Sequence, residues 1–155
     1  MTPKDSLREE HGTIMKMLVV LQNYFTKPVD LKEGEAKDLE ALIEFFETYV
    51  DLYHHGKEEQ HLFPALFRAQ VPDIDSLINS LIDDHRKARM NMEHIKSRTV
   101  AINSYTGADH DEICKAVQRY VELVRKHIRK ENSELLPLIE ESLSEAEKLR
   151  MVGHF

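Results

Sequence analysis

Apolar residues recur at helical intervals along almost the whole chain. Leu7, Ile14, Leu18 and Leu21 share one face of a first helix, which a Ser6-x-x-Glu9 capping box starts near Ser6 and Lys27-Pro28 breaks after about Phe25. Leu39, Ile43, Phe46 and Val50 lead into His54, Glu58 and Ala65 on a second helix over about 33–70, where Pro64 is predicted to kink the helix or start a new segment. Past Val71-Pro72-Asp73, a third helix over about 74–100 carries Leu77, Leu81, Ala88 and Met92. A loop around Ser104-Tyr105-Thr106-Gly107 leads to a fourth helix over about 110–141, with Ile113, Val117, Tyr120, Val124 and His127 on its face. Ser144-x-x-Glu147 repeats the capping pattern and allows a short C-terminal helix. The fold class is all-α, and the pattern predicts an antiparallel up-down-up-down four-helix bundle. The 155 residues suit one domain.

The sequence also repeats itself. His54-His55-Gly56-Lys57-Glu58 and its continuation to Leu62-Phe63-Pro64 match His127-Ile128-Arg129-Lys130-Glu131 and its continuation to Leu135-Leu136-Pro137, with the shared pattern H-x-x-K-E-x-x-x-L-[FL]-P. Upstream of each copy a lone histidine follows acidic residues, in Glu9-Glu10-His11 and Asp83-Asp84-His85. The chain therefore reads as two pseudo-symmetric helical hairpins, about 6–70 and 74–141, each with one histidine on its first helix and His-x-x-x-Glu on its second.

Residues i and i+4 of a helix lie about 40° apart on one face, so His54 with Glu58, and His127 with Glu131, extend the apolar stripes into the bundle interior. A buried carboxylate is costly unless it is paired or bound to a cation. Two carboxylates, each beside an imidazole, suit two divalent metals, and His11 and His85 join them through the repeat. The candidate ligands are His11, His54, His55, Glu58, His85, His127 and Glu131. On an α-helix Glu58 falls between His54 and His55, so a bridging Glu58 sets one metal on each side; His61, one turn on, is the alternative extra ligand or a group that orients Glu58. His94, His110 and His154 lack partners at metal spacing and are read as exposed, while Glu10, Glu59, Asp83 and Asp84 are read as solvated or ligand-supporting carboxylates.

Charge and composition narrow the picture further. A net charge of −7 argues against a nucleic-acid partner, which needs a basic face. No run of about 18 apolar residues occurs, and the N-terminus lacks the apolar stretch of a signal peptide, so a cytoplasmic protein without a membrane segment is expected. The lone Cys114 is read as a buried structural thiol, and the absence of thiolate ligands from the candidate set argues against a cysteine-rich zinc site. Manganese or zinc would suit the same nitrogen and oxygen donors as iron.

The ordered set His11, His54-x-x-x-Glu58, His85 and His127-x-x-x-Glu131 resembles the hemerythrin-like HHE cation-binding family of bacteria and archaea, over about Leu7 to Glu141. The resemblance implies a non-haem di-iron centre with an oxo or hydroxo bridge. Glu58 and Glu131 would bridge the irons, His11 and His54 would serve one, and His85, His127 and the additional candidate His55 the other. The chain departs from the oxygen-carrying hemerythrins. Those place a second histidine one turn from the first on the third helix, where Leu81 and Arg89 flank His85, and an Asp five residues after the last ligand histidine, where Glu131 stands four after His127. The expected function is binding or reaction of O₂, NO or peroxide, as a carrier or as an oxidoreductase; an iron or redox sensor without catalysis is the alternative. Oligomeric state is not legible.

Overall fold

Thr2 opens the first helix, α1 (Pro3–Tyr24). The Asp5 N–H donates to Thr2 Oγ1 and the Thr2 N–H donates to Asp5 Oδ2, both at 3.1 Å, and Pro3 takes the first helical position, where its missing N–H costs nothing. The expected start near Ser6 is thus one turn late, because the earlier cap is complete; Ser6 Oγ instead donates to Glu10 Oε1 at 3.2 Å. The structure, a computed structural model, describes residues 1–25, 33–99 and 107–155, with the backbone alone at 33–36 and 107–109. The break at Lys27-Pro28 and the loop at 104–106 lie outside the described residues.

The second rod is helical without interruption from 33 to 68 but is not α-helical throughout. It comprises α2 (Glu33–Phe45), a ten-residue π-helix π1 (Phe46–His55), a five-residue π-helix π2 (Glu58–Leu62) and α3 (Phe63–Arg68). Gln70 and Asp73, with φ of 54° and 57°, bracket Val71-Pro72 and turn the chain into α4 (Ile74–Thr99). The fourth rod comprises α5 (Gly107–Lys130), π3 (Glu131–Leu135) and α6 (Leu136–Ser142); α7 (Glu145–Val152) follows, started by the predicted Ser144 box.

The two short π-helices sit at matching points of the repeat, and proline explains them. A Pro ring strikes the carbonyl of residue i−4, which is Gln60 for Pro64 and Ser133 for Pro137. A wider π turn immediately before each proline opens that space, and Pro64 and Pro137 then fall in the first turn of a fresh α segment. Pro64 therefore starts a new segment, one of its two predicted outcomes.

Every regular element among the described residues is a helix, and the helices form a bundle with two apolar layers. One layer gathers Ile14, Leu18, Phe46, Val50, Ala88, Val124 and their neighbours; the other gathers Leu7, Leu62, Leu81, Leu135 and theirs. Between them on every rod lies a polar stretch: His11 between Leu7 and Ile14, His54 to Glu58 between Val50 and Leu62, His85 between Leu81 and Ala88, and His127 to Glu131 between Val124 and Leu135. The fold thus seals a band of imidazoles and carboxylates between two dry plugs. Among the described residues, no helix is long and apolar enough to cross a membrane.

Candidate metal centre

The polar band is almost completely buried. His54, Glu58 and Glu131 are 0% exposed and His85 is 1% exposed, while His11, His55 and His127 are also buried. Consecutive residues of an α-helix face directions about 100° apart, and the wider turn of a π-helix brings them closer together. His54 and His55 end π1, and both are buried. A wide turn at a functional cluster is a recurring use of π geometry.

Two positions for a cation emerge. Around the first, His11 Nε2 lies 3.0 Å from Glu131 Oε2 and His54 Nε2 lies 3.6 Å from Glu58 Oε1. Around the second, His127 Nε2 lies 2.9 Å from Glu131 Oε1, His85 Nε2 lies 3.2 Å from Glu58 Oε2, and the His85 and His127 Nε2 atoms are 3.2 Å apart. Donors held about 2.0–2.2 Å from one cation stand ~3 Å apart when they subtend a right angle at it. Each glutamate therefore turns one oxygen to each position. His55 joins the second set: the potential ligand atoms of His55, His85 and His127 lie within 4.8 Å of one another, as do those of His11, His54, Glu58 and Glu131, and those of Glu58, His85, His127 and Glu131.

A ring of outer partners fixes the imidazoles with Nδ1 outward. His54 Nδ1 donates to Glu10 Oε2 at 2.7 Å, and His127 Nδ1 approaches Asp84 Oδ2 at 3.4 Å; both acids precede the lone histidine of the same hairpin. His11 Nδ1 donates to Asn132 Oδ1 at 2.8 Å and His85 Nδ1 to Glu59 Oε1 at 2.7 Å, each partner coming from the opposite hairpin, one residue after its glutamate. The motif lysines complete the ring: Lys57 is bonded to Glu10, and Lys130 Nζ lies 2.8 Å from Asp84 Oδ2. Such partners set the tautomer and ring orientation of metal-binding histidines and raise their basicity. Glu10, Glu59 and Asp84, read from sequence as solvated or supporting groups, are supporting ones, whereas Asp83 pairs with Arg86 and Lys87 at the surface.

Lys57 and Glu10 are each 6% exposed, so their charges depend on one another. Replacing Glu10 with alanine strands a buried ammonium and frees His54, at a cost of about 3–5 kcal/mol. Urea unfolding measures it, and a loss under about 1 kcal/mol, typical of exposed pairs, would contradict this picture.

The electrostatics show how the cluster holds itself together through its own protons. Burial works against a charged His85, but Glu131, Glu58 and Glu59 overcome it and raise its pKa to about 11. Burial is likewise outweighed at His127, raised to about 9 by Glu131 and Asp84, and at His11, raised by Glu131 and Glu58. His55 goes the other way: burial and then the charge of His85 push it well below its ordinary value. Burial would raise Glu131, yet His127, His11 and His85 hold it well below the usual carboxylate range. For Asp84, burial is overcome by His127 and Lys130, which bring it down to about 2.

The donor set fits a metal pair. Among the described residues, the buried side-chain atoms without a hydrogen-bond partner are Nε2 of His11 and His54, Nδ1 of His55, and both oxygens of Glu58 and of Glu131. Every one belongs to a sequence-predicted ligand. Orphaned buried polar atoms are expensive, and their concentration at two foci is what a cation would satisfy. All seven predicted residues are thus brought together. His61 is not; its ring stacks on that of His154 at 4.8 Å. His154 is exposed as predicted, but His94 and His110 are half-buried, and so is Cys114, whose Sγ lies 3.4 Å from both the Phe25 carbonyl and His110 Nε2. Sequence reading missed Asn132, which holds His11 Nδ1, and Asp51, whose Oδ1 stands 3.6 Å from His55 Nδ1. Asn132 was legible in hindsight as the repeat partner of Glu59, whereas Asp51, on π1, has no counterpart to signal it.

A family model described as the hemerythrin HHE cation binding domain matches residues 2–139. Uncharacterized proteins of Mycobacterium bovis and Mycobacterium tuberculosis are 21% identical over 155 residues, a span of 99% of this chain. The chain covers 60% of the length of these relatives.

Proposed function

Because the chain belongs to the hemerythrin HHE cation-binding domain family, we propose that it is a non-haem di-iron protein that binds or reacts with O₂, NO or peroxide. The observation that carries this reading is the pair of buried glutamates, each with its two unpartnered oxygens divided between two histidine sets. His11 and His54 would hold one iron, His55, His85 and His127 the other, and Glu58 and Glu131 both. The iron pair, when bound, supplies one- and two-electron redox chemistry. Glu10, Asn132, Glu59 and Asp84 keep the Nδ1 protons in place, so that Nε2 of His54, His11, His85 and His127 is free to ligate. The apolar layers above and below keep bulk water from the band.

The same layers support the proposed architecture. Along the first and third rods the Leu7 layer precedes the Ile14 layer; along the second and fourth the order reverses. That alternation fits an up-down-up-down bundle of two hairpins in a single domain, with α7 appended.

Elemental analysis beside visible spectra tests the reading. Two irons per chain are expected, with a nearly colourless dithionite-reduced form that gains a charge-transfer band in air. Zinc at two per chain would keep the site and discard the redox chemistry, and manganese would discard the iron alone. No bound metal after growth or reconstitution would discard both.

A further inference from the structure

His55 differs from the other four histidines in three independent ways. First, the repeat does not include it, since the matching residue of the other hairpin is Ile128, buried in the apolar core. Second, it has no close outer anchor: its Nδ1 lies 3.6 Å from Asp51 Oδ1 and makes no hydrogen bond. Asp51 is committed elsewhere, to Arg89, whose Nε and Nη2 each donate to it at 2.8 Å. Third, its ring stacks on His85 at 3.8 Å with the planes 11° apart, so it reaches the position it shares with His85 at a poorer angle than a ring set across it. The His127 ring is set across His85, at 70°.

In front of His55 lies a cleft of about 200 Å³ between π1 and α4. Phe46, Val50, Ala88, Met92 and the buried Tyr120 wall it. Its remaining lining sets three carboxylates, on Glu47, Asp51 and Glu93, against the one guanidinium of Arg89. Even with Glu47 paired to Lys96 at 3.0 Å, the lining is acidic and works against the pull of a dication on an anion entering here.

We propose that His55 is an exchangeable ligand and that this cleft is the binding site of a small uncharged molecule that takes its place at the second metal position. In the exchange the bond between the metal and the His55 nitrogen breaks, a bond from the incoming donor atom forms, and no electron is transferred. The imidazole then remains packed beside Asp51. This rests on the two-metal reading above and adds to it where the ligand arrives, which residue yields, and that the ligand carries no charge.

Cobalt(II) is the probe, since its visible bands report ligand number without turnover. Wild type and His55→Ala should both take up two cobalt ions per chain, whereas His127→Ala should lose one. Imidazole added at a pH where it is neutral should enter the space in His55→Ala and restore the wild-type spectrum, with azide binding at least about 10-fold more weakly. Adding Ala88→Phe to fill the cleft should weaken imidazole binding by about 10-fold or more. If His55→Ala loses a cobalt ion as fully as His127→Ala, His55 is a fixed ligand and the proposal fails. It also fails if filling the cleft leaves imidazole binding unchanged, or if azide binds as well as imidazole. A wild type that cannot hold two cobalt ions overturns the two-metal reading itself and this inference with it. Should the alanine variant not fold, His55→Ile, which copies the other hairpin, carries the stoichiometry measurement.

Discussion

Glu58→Ala or Glu131→Ala should empty both metal positions together, whereas His11→Ala should empty only the first. Glu58 presents Oε1 to His54 and Oε2 to His85, while Glu131 presents Oε2 to His11 and Oε1 to His127. Removing either side chain deletes one donor from each position and one negative charge shared between two dications. Losing an outer partner alone costs about 10–100-fold in metal affinity, so loss of a shared inner donor should cost at least about 100-fold at each position. Metal content after dialysis against a weak chelator measures this, with helicity checked by circular dichroism. His11 serves as the contrast because its Nε2 faces only the first set. A Glu131→Ala protein that keeps one metal tightly would mean the carboxylate serves a single position, and the shared-cation picture would be wrong.

What the sequence disclosed, and what it hid, follows from periodicity. His54 with Glu58 and His127 with Glu131 were legible because a helix face repeats every three to four residues, and because the hairpins reproduce the pattern 73 residues apart. The lone His11 and His85 were legible only through that repeat. The π-helices were not, since a widened turn changes which residues share a face without altering composition, and apolar spacing averages over it. Its one trace was the adjacent pair His54-His55, both placed inward. The outer ring was half legible. Glu10 and Asp84 stood beside the lone histidines, but their partners lie a helix away, and Lys57 and Lys130 belonged to the repeated pattern without a visible task until Glu10 and Asp84 were placed against them.

Metal should stabilise the protein by a margin that widens with pH. In the stripped protein His85 and His127 are protonated at neutral pH, with pKa values of about 11 and about 9, because Glu131, Glu58 and the outer acids outweigh their burial. In the unfolded chain they titrate near 6.5. A folded pKa above the unfolded one gives a stabilisation that is complete below about 6.5 and drains away as pH climbs through about 9 and then about 11. Glu131, held well below its ordinary value, loses its contribution only in acid and leaves the alkaline range alone. Metal binding runs the opposite way: both imidazoles must give up their protons to ligate, so affinity grows over the same range. With free metal about 1,000-fold above its dissociation constant, loading contributes about 4 kcal/mol, or about 8–16 °C in Tm for a chain of this size. Scans with and without cobalt(II) at about pH 7 and about pH 9 should show the loaded Tm holding while the stripped Tm falls. A gap of that size would also give the sensor alternative its physical basis, because losing metal would loosen the bundle. Equal melting temperatures, or a gap that closes toward alkaline pH, would show that the acids in the band are neutralised by something other than their own histidines or a metal.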